Sequence, residues 1–448
     1  MARLVIVSNR VPSSSDRQQP AGGLAVALRD ALKQGECLWF GWSGRQIDDA
    51  DKDNRKAGAE QVRNVAYSTI DLTHSEFDGF YQKYSNGILW PLCHYRAGLM
   101  SYSRKDQEVY WEVNQLFACE LKKQLRPDDI IWVQDYHLFP LGQALRDLGV
   151  TNPIGFFLHI PFPPWSLMKS LPDAEHLMRS MQAYTVMGVQ TEDDARNMND
   201  GFVQCNIAQK AQVFPIGIDP DSFVQQAEAG EHDFDVQRLQ ISLRGRPLII
   251  GVDRLDYSKG LPERFHGYEA FLKRFPEHRG KVMYLQITPV SRGNVEEYRL
   301  LKRQLDETAG RINGMYGDFD WTPIRYITQP VPRHLLAGFY RLADAALVTP
   351  LRDGMNLVAK EYVAAQDEED PGVLILSHFA GAAPEMEDAL LVNPHDADEI
   401  ADALHKALTM TQSERQARWG RLKPDVWRVT AQTWARDFMT ALAGETHA

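Results

Sequence analysis

The chain has 448 residues, 44% hydrophobic and 24% charged, the balance of a soluble globular protein with material for more than one core. Its formal net charge of −11 argues against a nucleic-acid surface, which would carry a basic excess. No apolar run is long enough to cross a bilayer, and the first one, Leu4-Val5-Ile6-Val7, is too short for a secretory signal. The four cysteines (Cys37, Cys93, Cys119 and Cys205) have neither metal nor redox spacing. They read as small buried hydrophobes in a cytoplasmic protein.

Short apolar runs alternate with amphipathic segments from the start. The first predicted strand is Leu4–Ser8, followed by Asn9-Arg10 and then by Ala21-Gly22-Gly23-Leu24, which opens a helix. Gly22 and Gly23 would let backbone approach a ligand, and a helix start offers amides to an anion. Taken alone, such a pair is more often an ordinary turn, and Arg10 a surface ion pair. Further strands are predicted at Leu38–Trp42, Ile130–Val133, Ile154–His159 and Thr185–Gln190, with a helix over Tyr110–Gln124. Tyr81, Trp90, His94 and Asp135 are polar or aromatic positions along this half; rings line sugar faces, yet core packing is their commoner fate. His159 closes its strand just before Pro161, Pro163 and Pro164. A histidine so placed is usually a satisfied structural group.

The polar stretch Gln225 to Pro247 reads as a helical linker leading into a second domain. This gives domains at 1–230 and 231–426. A final helix over 427–448, with Trp427, Val429, Trp434, Phe438 and Leu442 at helical spacing, either crosses back to the first domain or caps the second. The second series of strands is Leu248–Val252, Val282–Ile287, Ile324–Ile327, Ala345–Thr349, Val373–Leu376 and Leu390–Val392, with helices over Pro262–Phe275 and Asn356–Gln366. Near-continuous apolar runs are strands buried on both faces. Their alternation with helices predicts an α/β protein of two doubly wound Rossmann-like domains, facing across a cleft at the strands' carboxyl ends.

The chemistry gathers just after strands. Arg254 and Lys259, in the loop closed by Gly260, could both reach a diphosphate at a helix start, although a solvated loop with two basic residues reads as well. Ser291-Arg292-Gly293 repeats the theme. Arg352 to Glu361 is the most informative stretch: a strand ends at Pro350, Gly354 permits a sharp turn, and Asp353 or Asn356 caps a helix. Glu361 lies too far along to cap and suits a ribose diol. Phe379-Ala380-Gly381-Ala382-Ala383 cradles a phosphate or merely turns. Asp318-Phe319-Asp320 is read as a polar turn, and no metal is expected.

In order along nearly the whole chain, these stretches resemble the trehalose-6-phosphate synthases, retaining glycosyltransferases of family 20 with the GT-B architecture. The resemblance runs through Val7-Ser8-Asn9-Arg10, Leu38 to Gly44, Leu89-Trp90-Pro91, Asp135-Tyr136-His137-Leu138, Phe157 to Pro163, Arg254 to Gly260, Arg311-Ile312-Asn313-Gly314 and Arg352 to Glu361. It implies glucose transfer from a nucleotide-glucose (UDP by default, ADP and GDP open) to glucose 6-phosphate, giving α,α-trehalose 6-phosphate. It implies that Arg10, Tyr81, Trp90, Asp135 and Arg292 hold the acceptor. Gly22, Gly23, Arg254, Lys259, Asp353, Gly354, Met355, Asn356, Leu357, Val358 and Glu361 hold the donor. His159 is implied to contact the donor glucose hydroxyls with Asp353, and His159, Arg254, Lys259 and Asp353 stand nearest the chemistry. Trp42 lies in a matching motif without an assigned role. No dedicated carboxylate nucleophile comes with the resemblance, so the implied route is same-face displacement. No cofactor is implied beyond the nucleotide sugar. The partners implied are the two small-molecule substrates, a second copy of the chain in a homo-oligomer, and a separate downstream trehalose-phosphate phosphatase. Three alternatives stand beside it: a glucosylglycerol-phosphate synthase with the same donor site, a catalytically silent regulatory homologue, and a hydrolysing sugar-nucleotide epimerase on the same architecture, which would need a catalytic acid and base and no acceptor-phosphate site.

Overall fold

In the computed structural model, which describes residues 2–13, 35–55, 57–290 and 296–444, fourteen strands form two sheets. The chain divides into two units. One runs through Ile216 and resumes at Ala431; the other is Gly217–Thr430.

The first unit holds β1 (Leu4–Arg10), β2 (Cys37–Ile47), β3 (Gly58–Val62), β4 (Val65–Thr73), β5 (Ile130–Gln134), β6 (Ile154–Phe157), β7 (Val186–Val189) and β8 (Ala211–Val213). Their order is β3-β4-β2-β1-β5-β6-β7-β8, parallel except for the β3–β4 pair. β1 is central: Val5 pairs with Leu38 on one side and Ile131 on the other. Val5, Ile6 and Val7 are fully buried, as strands covered by helices on both faces require. β3, β4 and β8 are absent from the strands predicted above. β3 is a polar, mostly exposed edge, β4 is broken by Ser68, Thr69 and Asp71, and β8 is three residues long.

The second unit holds β9 (Leu248–Val252), β10 (Met283–Ile287), β11 (Ile324–Ile327), β12 (Ala345–Val348), β13 (Val373–Ser377) and β14 (Leu390–Val392). All are parallel, in the order β11-β10-β9-β12-β13-β14. Each sheet therefore reverses its winding once, between β1 and β5 in the first unit and between β9 and β12 in the second. In open α/β sheets that reversal opens a crevice at the strands' carboxyl ends, where ligands bind.

The break between units falls at 216/217, ahead of the 225–247 stretch. That stretch belongs to the second unit as the helices Pro220–Gly230 and Phe234–Leu243. Asp219 starts the first of them by accepting from Ser222 N at 3.0 Å, and Phe223 buries itself beside Tyr340. The C-terminal run is not one helix. Gln412–Arg428 ends at Val429, and Ala431–Leu442 begins after it. The interruption has a local cause: Thr430 bridges to Ile218, and a Cβ on Gly217 would lie 1.7 Å from Val429 O. The last helix packs in the first unit. Trp434 and Phe438 lie on Trp132 at centroid distances of 4.8 and 4.7 Å. Gly155 of β6 makes room for them, since a Cβ there would meet Phe438 at 2.7 Å.

Candidate functional site

In the second unit both loops at the winding reversal carry charge. After β9 the chain runs Asp253, Arg254, Leu255, Asp256, then a short turn Tyr257–Lys259 and Gly260. Gly260 has φ +62°, and a Cβ there would lie 2.1 Å from Thr349 O, so only glycine lets this loop close against the end of β12. Beyond it the helix Leu261–Arg274 begins. Lys259 Nζ sits 2.5 Å from Asp353 Oδ2 and so ties the loop after β9 to the loop after β12. Asn356 Nδ2 donates to the same Asp353 oxygen at 3.0 Å. Arg254 is exposed, with its Nε 3.6 Å from the fully buried Asp256 carboxylate.

Asn356 caps the helix Leu357–Ala365 by accepting from Ala359 N at 3.3 Å, with its own backbone at φ +81°. The first amides of that helix, at Leu357 and Val358, have no carbonyl one turn back to donate to. The preceding loop is laced to the small-residue loop: Gly381 N donates to Asp353 O and Ala382 N to Met355 O, at 3.1 and 2.7 Å. A Cβ on Gly381 would stand 1.8 Å from Gly354 O. The run of small residues at 380–383 is thus explained as the close partner of the 353–355 loop. Further along the helix, Glu361 pairs with Arg333 at 3.1 Å. Burial raises the Glu361 pKa, and the Arg333 guanidinium opposes that rise.

Beneath these loops lies a buried network that the sequence motifs did not reveal. Arg264 is fully buried. It donates to Asp253 Oδ2 at 2.7 Å, to Thr349 Oγ1 at 3.0 Å and to Gln286 Oε1 at 3.2 Å, joining the ends of β9, β12 and β10. The signal was present: an arginine on the inward face of an amphipathic helix, and a lone glutamine in the apolar strand Met283–Ile287.

The first unit's reversal is built differently. Arg10 ends β1, exposed, with its guanidinium over Gly44; a Cβ on that glycine would lie 2.9 Å from Arg10 Nε. Asp135 follows β5 in a positive-φ conformation (φ +75°), and its carboxylate accepts from His159 N at 3.2 Å. His159 Nε2 bonds Gln134 Oε1 at 2.9 Å, and the ring packs edge-on to Trp434 at 5.8 Å. Burial pushes the His159 pKa down to about 3, so the imidazole is neutral at pH 7. With Nε2–H donating to Gln134, Nδ1 is left as the acceptor.

Tyr81 and Trp90 stand on or after the helix Phe77–Leu89, which has the wide π winding seen chiefly at functional sites. Trp90 N bonds Ser85 O, five residues back. Asn86 sets the geometry here: Nδ2 donates to Tyr81 O at 2.9 Å, and Oδ1 accepts from Tyr136 OH at 2.7 Å. Tyr81 stacks flat on His137 (5.7 Å, 8°) and meets Trp42 at 6.2 Å. Trp90 is buried against His94 and Tyr136. Asp318-Phe319-Asp320 is a turn, with Asp318 bridging to Trp321 and Asp320 paired to Arg244 and Arg246. Gly22, Gly23 and Arg292 lie outside the described residues.

A doubly wound sheet whose reversal point carries two basic side chains, a capped helix start and a carboxylate further along that helix defines a nucleotide-binding enzyme. The chain belongs to glycosyltransferase family 20, whose model matches residues 2–444. It is similar to the trehalose-6-phosphate synthase of Sinorhizobium fredii, 45% identical over 462 residues that cover 100% of this chain and 99% of the relative. It is similar to the α,α-trehalose-phosphate synthase (UDP-forming) of Burkholderia xenovorans solved in complex with glucose-6-phosphate, with a TM-score of 0.95 at 45% identity over 99% of this chain and 100% of that one. The Escherichia coli trehalose-6-phosphate structure with UDP-2-fluoro glucose bound gives a TM-score of 0.93 at 44% identity, covering 98% and 99%.

Proposed function

We propose that this chain is a retaining glucosyltransferase that moves glucose from UDP-glucose to glucose 6-phosphate, giving α,α-trehalose 6-phosphate. The observation that carries the reading is the Lys259–Asp353 pair, which joins the two loops at the second unit's reversal beside Arg254 and the open helix start. The UDP-forming relative solved with glucose-6-phosphate and the structure holding UDP-2-fluoro glucose support the choice of substrates.

On this reading Arg254 and Lys259 take the diphosphate. The amides of Leu357 and Val358 face donor sugar and phosphate, with Gly354, Met355 and Asn356 shaping their approach. Glu361 takes the ribose diol, and Asp353 with His159 takes glucose hydroxyls. Arg10 takes the acceptor's phosphate, Tyr81 and Trp90 line its sugar, and Asp135 accepts from a hydroxyl; Gly22 and Gly23 on the donor and Arg292 on the acceptor complete the assignment. Asp353 is a poor nucleophile, because one of its oxygens already receives both Lys259 and Asn356. That favours a route without a glycosyl-enzyme intermediate. The cations and amides stabilise the departing diphosphate, the glycosidic bond loosens, and the leaving oxygen takes the acceptor hydroxyl's proton on the same face. The protein's part is charge stabilisation and positioning, supplied by its own side chains.

Three of the four cysteines are buried and all four are free, which suits a reducing compartment such as the cytoplasm. Among the described residues no helix is long and apolar enough to cross a membrane.

A product assay tests the assignment. Purified protein is given UDP-, ADP- or GDP-glucose with glucose 6-phosphate or glycerol 3-phosphate, and the product's anomeric configuration is read by NMR. The expected outcome is α,α-trehalose 6-phosphate, fastest from UDP-glucose. A higher kcat/KM with glycerol 3-phosphate would assign the chain to the glucosylglycerol-phosphate synthases. No turnover with any pair would leave the silent homologue.

A further inference from the structure

The helix Leu261–Arg274 starts at the phosphate-facing loop and ends in the turn Pro276–His278, about 20 Å away at 1.5 Å per residue. At that far end Glu277 and His278 meet His405 of the helix Ala397–Thr409. One ligand-type atom from each lies within 4.8 Å of the other two. His278 Nε2 is 3.1 Å from His405 Nδ1, and Glu277 Oε1 is 4.0 Å from the same His405 nitrogen.

Two imidazole nitrogens bound at 2.0–2.1 Å to one tetrahedral ion stand about 3.3 Å apart. The pair here is within a few tenths of an ångström of that spacing. Both rings are set by packing: His405 lies flat on Phe275 (4.1 Å, 6°), and His278 rests on Phe271 at 4.8 Å. Glu277 is more than half exposed, so its carboxylate can swing in to close the remaining gap. The nearby charges leave room for a cation. Arg274 is engaged by Asp398 and Asp402, at 3.4 and 2.8 Å, leaving Lys281 as the basic group that acts on His278.

We propose that Glu277, His278 and His405 form a binding site for a late first-row divalent cation of the zinc class. Two imidazoles and a carboxylate suit such ions, and water would fill the remaining position. The ion would pin the end of one helix to its neighbour, away from the donor-binding loops. Its role would be to stabilise the second unit rather than to take part in transfer.

The test uses untagged full-length protein stripped with EDTA and titrated with Co2+, then with Zn2+. Expected are saturable binding of one Co2+ per chain with visible d–d absorption, its displacement by Zn2+, and a thermal midpoint raised by roughly 5 °C at a hundredfold excess of Zn2+ over Kd. His405→Ala should abolish the absorption and the thermal shift while leaving glucosyl transfer intact. Glu277→Gln, on the more exposed ligand, should weaken Co2+ binding without loss of the fold. Absence of stoichiometric binding would mean that the histidines merely share a hydrogen bond, and the proposal would fall. Binding unchanged in His405→Ala would place the ion elsewhere and overturn it equally.

Discussion

The two units solve one geometric problem with different chemistry. Each is a sheet, parallel through its centre, that reverses its winding once, and each places a non-glycine residue with positive φ beside that reversal, Asp135 in one and Asn356 in the other. Such backbone costs of order 1–3 kcal/mol and is retained where surrounding bonds over-determine it. Around Asn356 the surroundings are ionic: Lys259, Asp353 and the Arg333–Glu361 pair. Around Asp135 they are aromatic and mostly neutral, with Tyr81, His137, Trp90 and an uncharged His159. An anionic leaving group needs cations and amides that are already in place. A sugar needs flat faces and well-placed hydrogen-bond partners. On the proposed reading, one scaffold serves both by changing the residues just past its central strands.

Substitutions on each side should break that division in different ways. The largest effect is expected for Lys259→Ala, which removes a cation from the developing charge. The kcat should fall about 10²–10³-fold with a much smaller change in the KM for glucose 6-phosphate, measured by steady-state kinetics varying each substrate. Arg10→Ala should do the opposite. Losing one charge-assisted contact of about 1.5–3 kcal/mol raises the KM for glucose 6-phosphate roughly ten- to hundredfold with kcat nearly kept. If the two variants lost both constants alike, the units would not serve separate substrates. Arg292→Ala is expected to follow Arg10→Ala.

Smaller effects sharpen the comparison. Arg333→Gln removes the cation that opposes the burial-driven rise of the Glu361 pKa, so the carboxyl pKa rises further. The ionised form is the one that accepts from a ribose diol. Donor KM in the variant should therefore climb as pH falls, beginning at a higher pH than in the parent protein, while the KM for glucose 6-phosphate stays level. A pH-independent change would reduce Arg333 to a packing role. Gln134→Leu should cost least, up to about tenfold in kcat, by removing the one neutral hydrogen bond that orients the His159 ring. Partial recovery in Gln134→Asn would support orientation over bulk.

Much of this was legible in the chain. The runs Leu248–Val252, Ile324–Ile327 and Leu390–Val392 coincide with β9, β11 and β14. For the central strand β9 the reason is burial on both faces, which leaves an unbroken apolar signature; the edge strand β11 keeps Arg325 and Tyr326 between its two isoleucines. The cap was legible as Asp353 or Asn356, since capping is a local device, and the structure assigns it to Asn356. What stayed hidden depends on distant partners. Gln134, Arg264 and Arg333 matter through residues 25, 85 and 28 positions away, a reach that no local pattern records. The π winding of Phe77–Leu89 is equally non-local, because it rests on Asn86 being engaged by Tyr136. The single C-terminal helix was a misreading of two, as the spacing of Trp427, Val429, Trp434 and Phe438 suits either until the Ile218–Thr430 bridge interrupts it.

That bridge has a further consequence. Ile218 and Thr430 stand at the two ends of the second unit, so its termini are neighbours. Seen from the first unit, everything between them is a guest threaded into a host by two adjacent strings. Closing even a long loop costs little more than closing a short one. A fragment spanning 217–430 therefore carries its own core and its own closure, and should be excisable as an independently folding piece. The host would then need only a short bridge to reunite Ile216 with the helix whose Trp434 and Phe438 complete its interior.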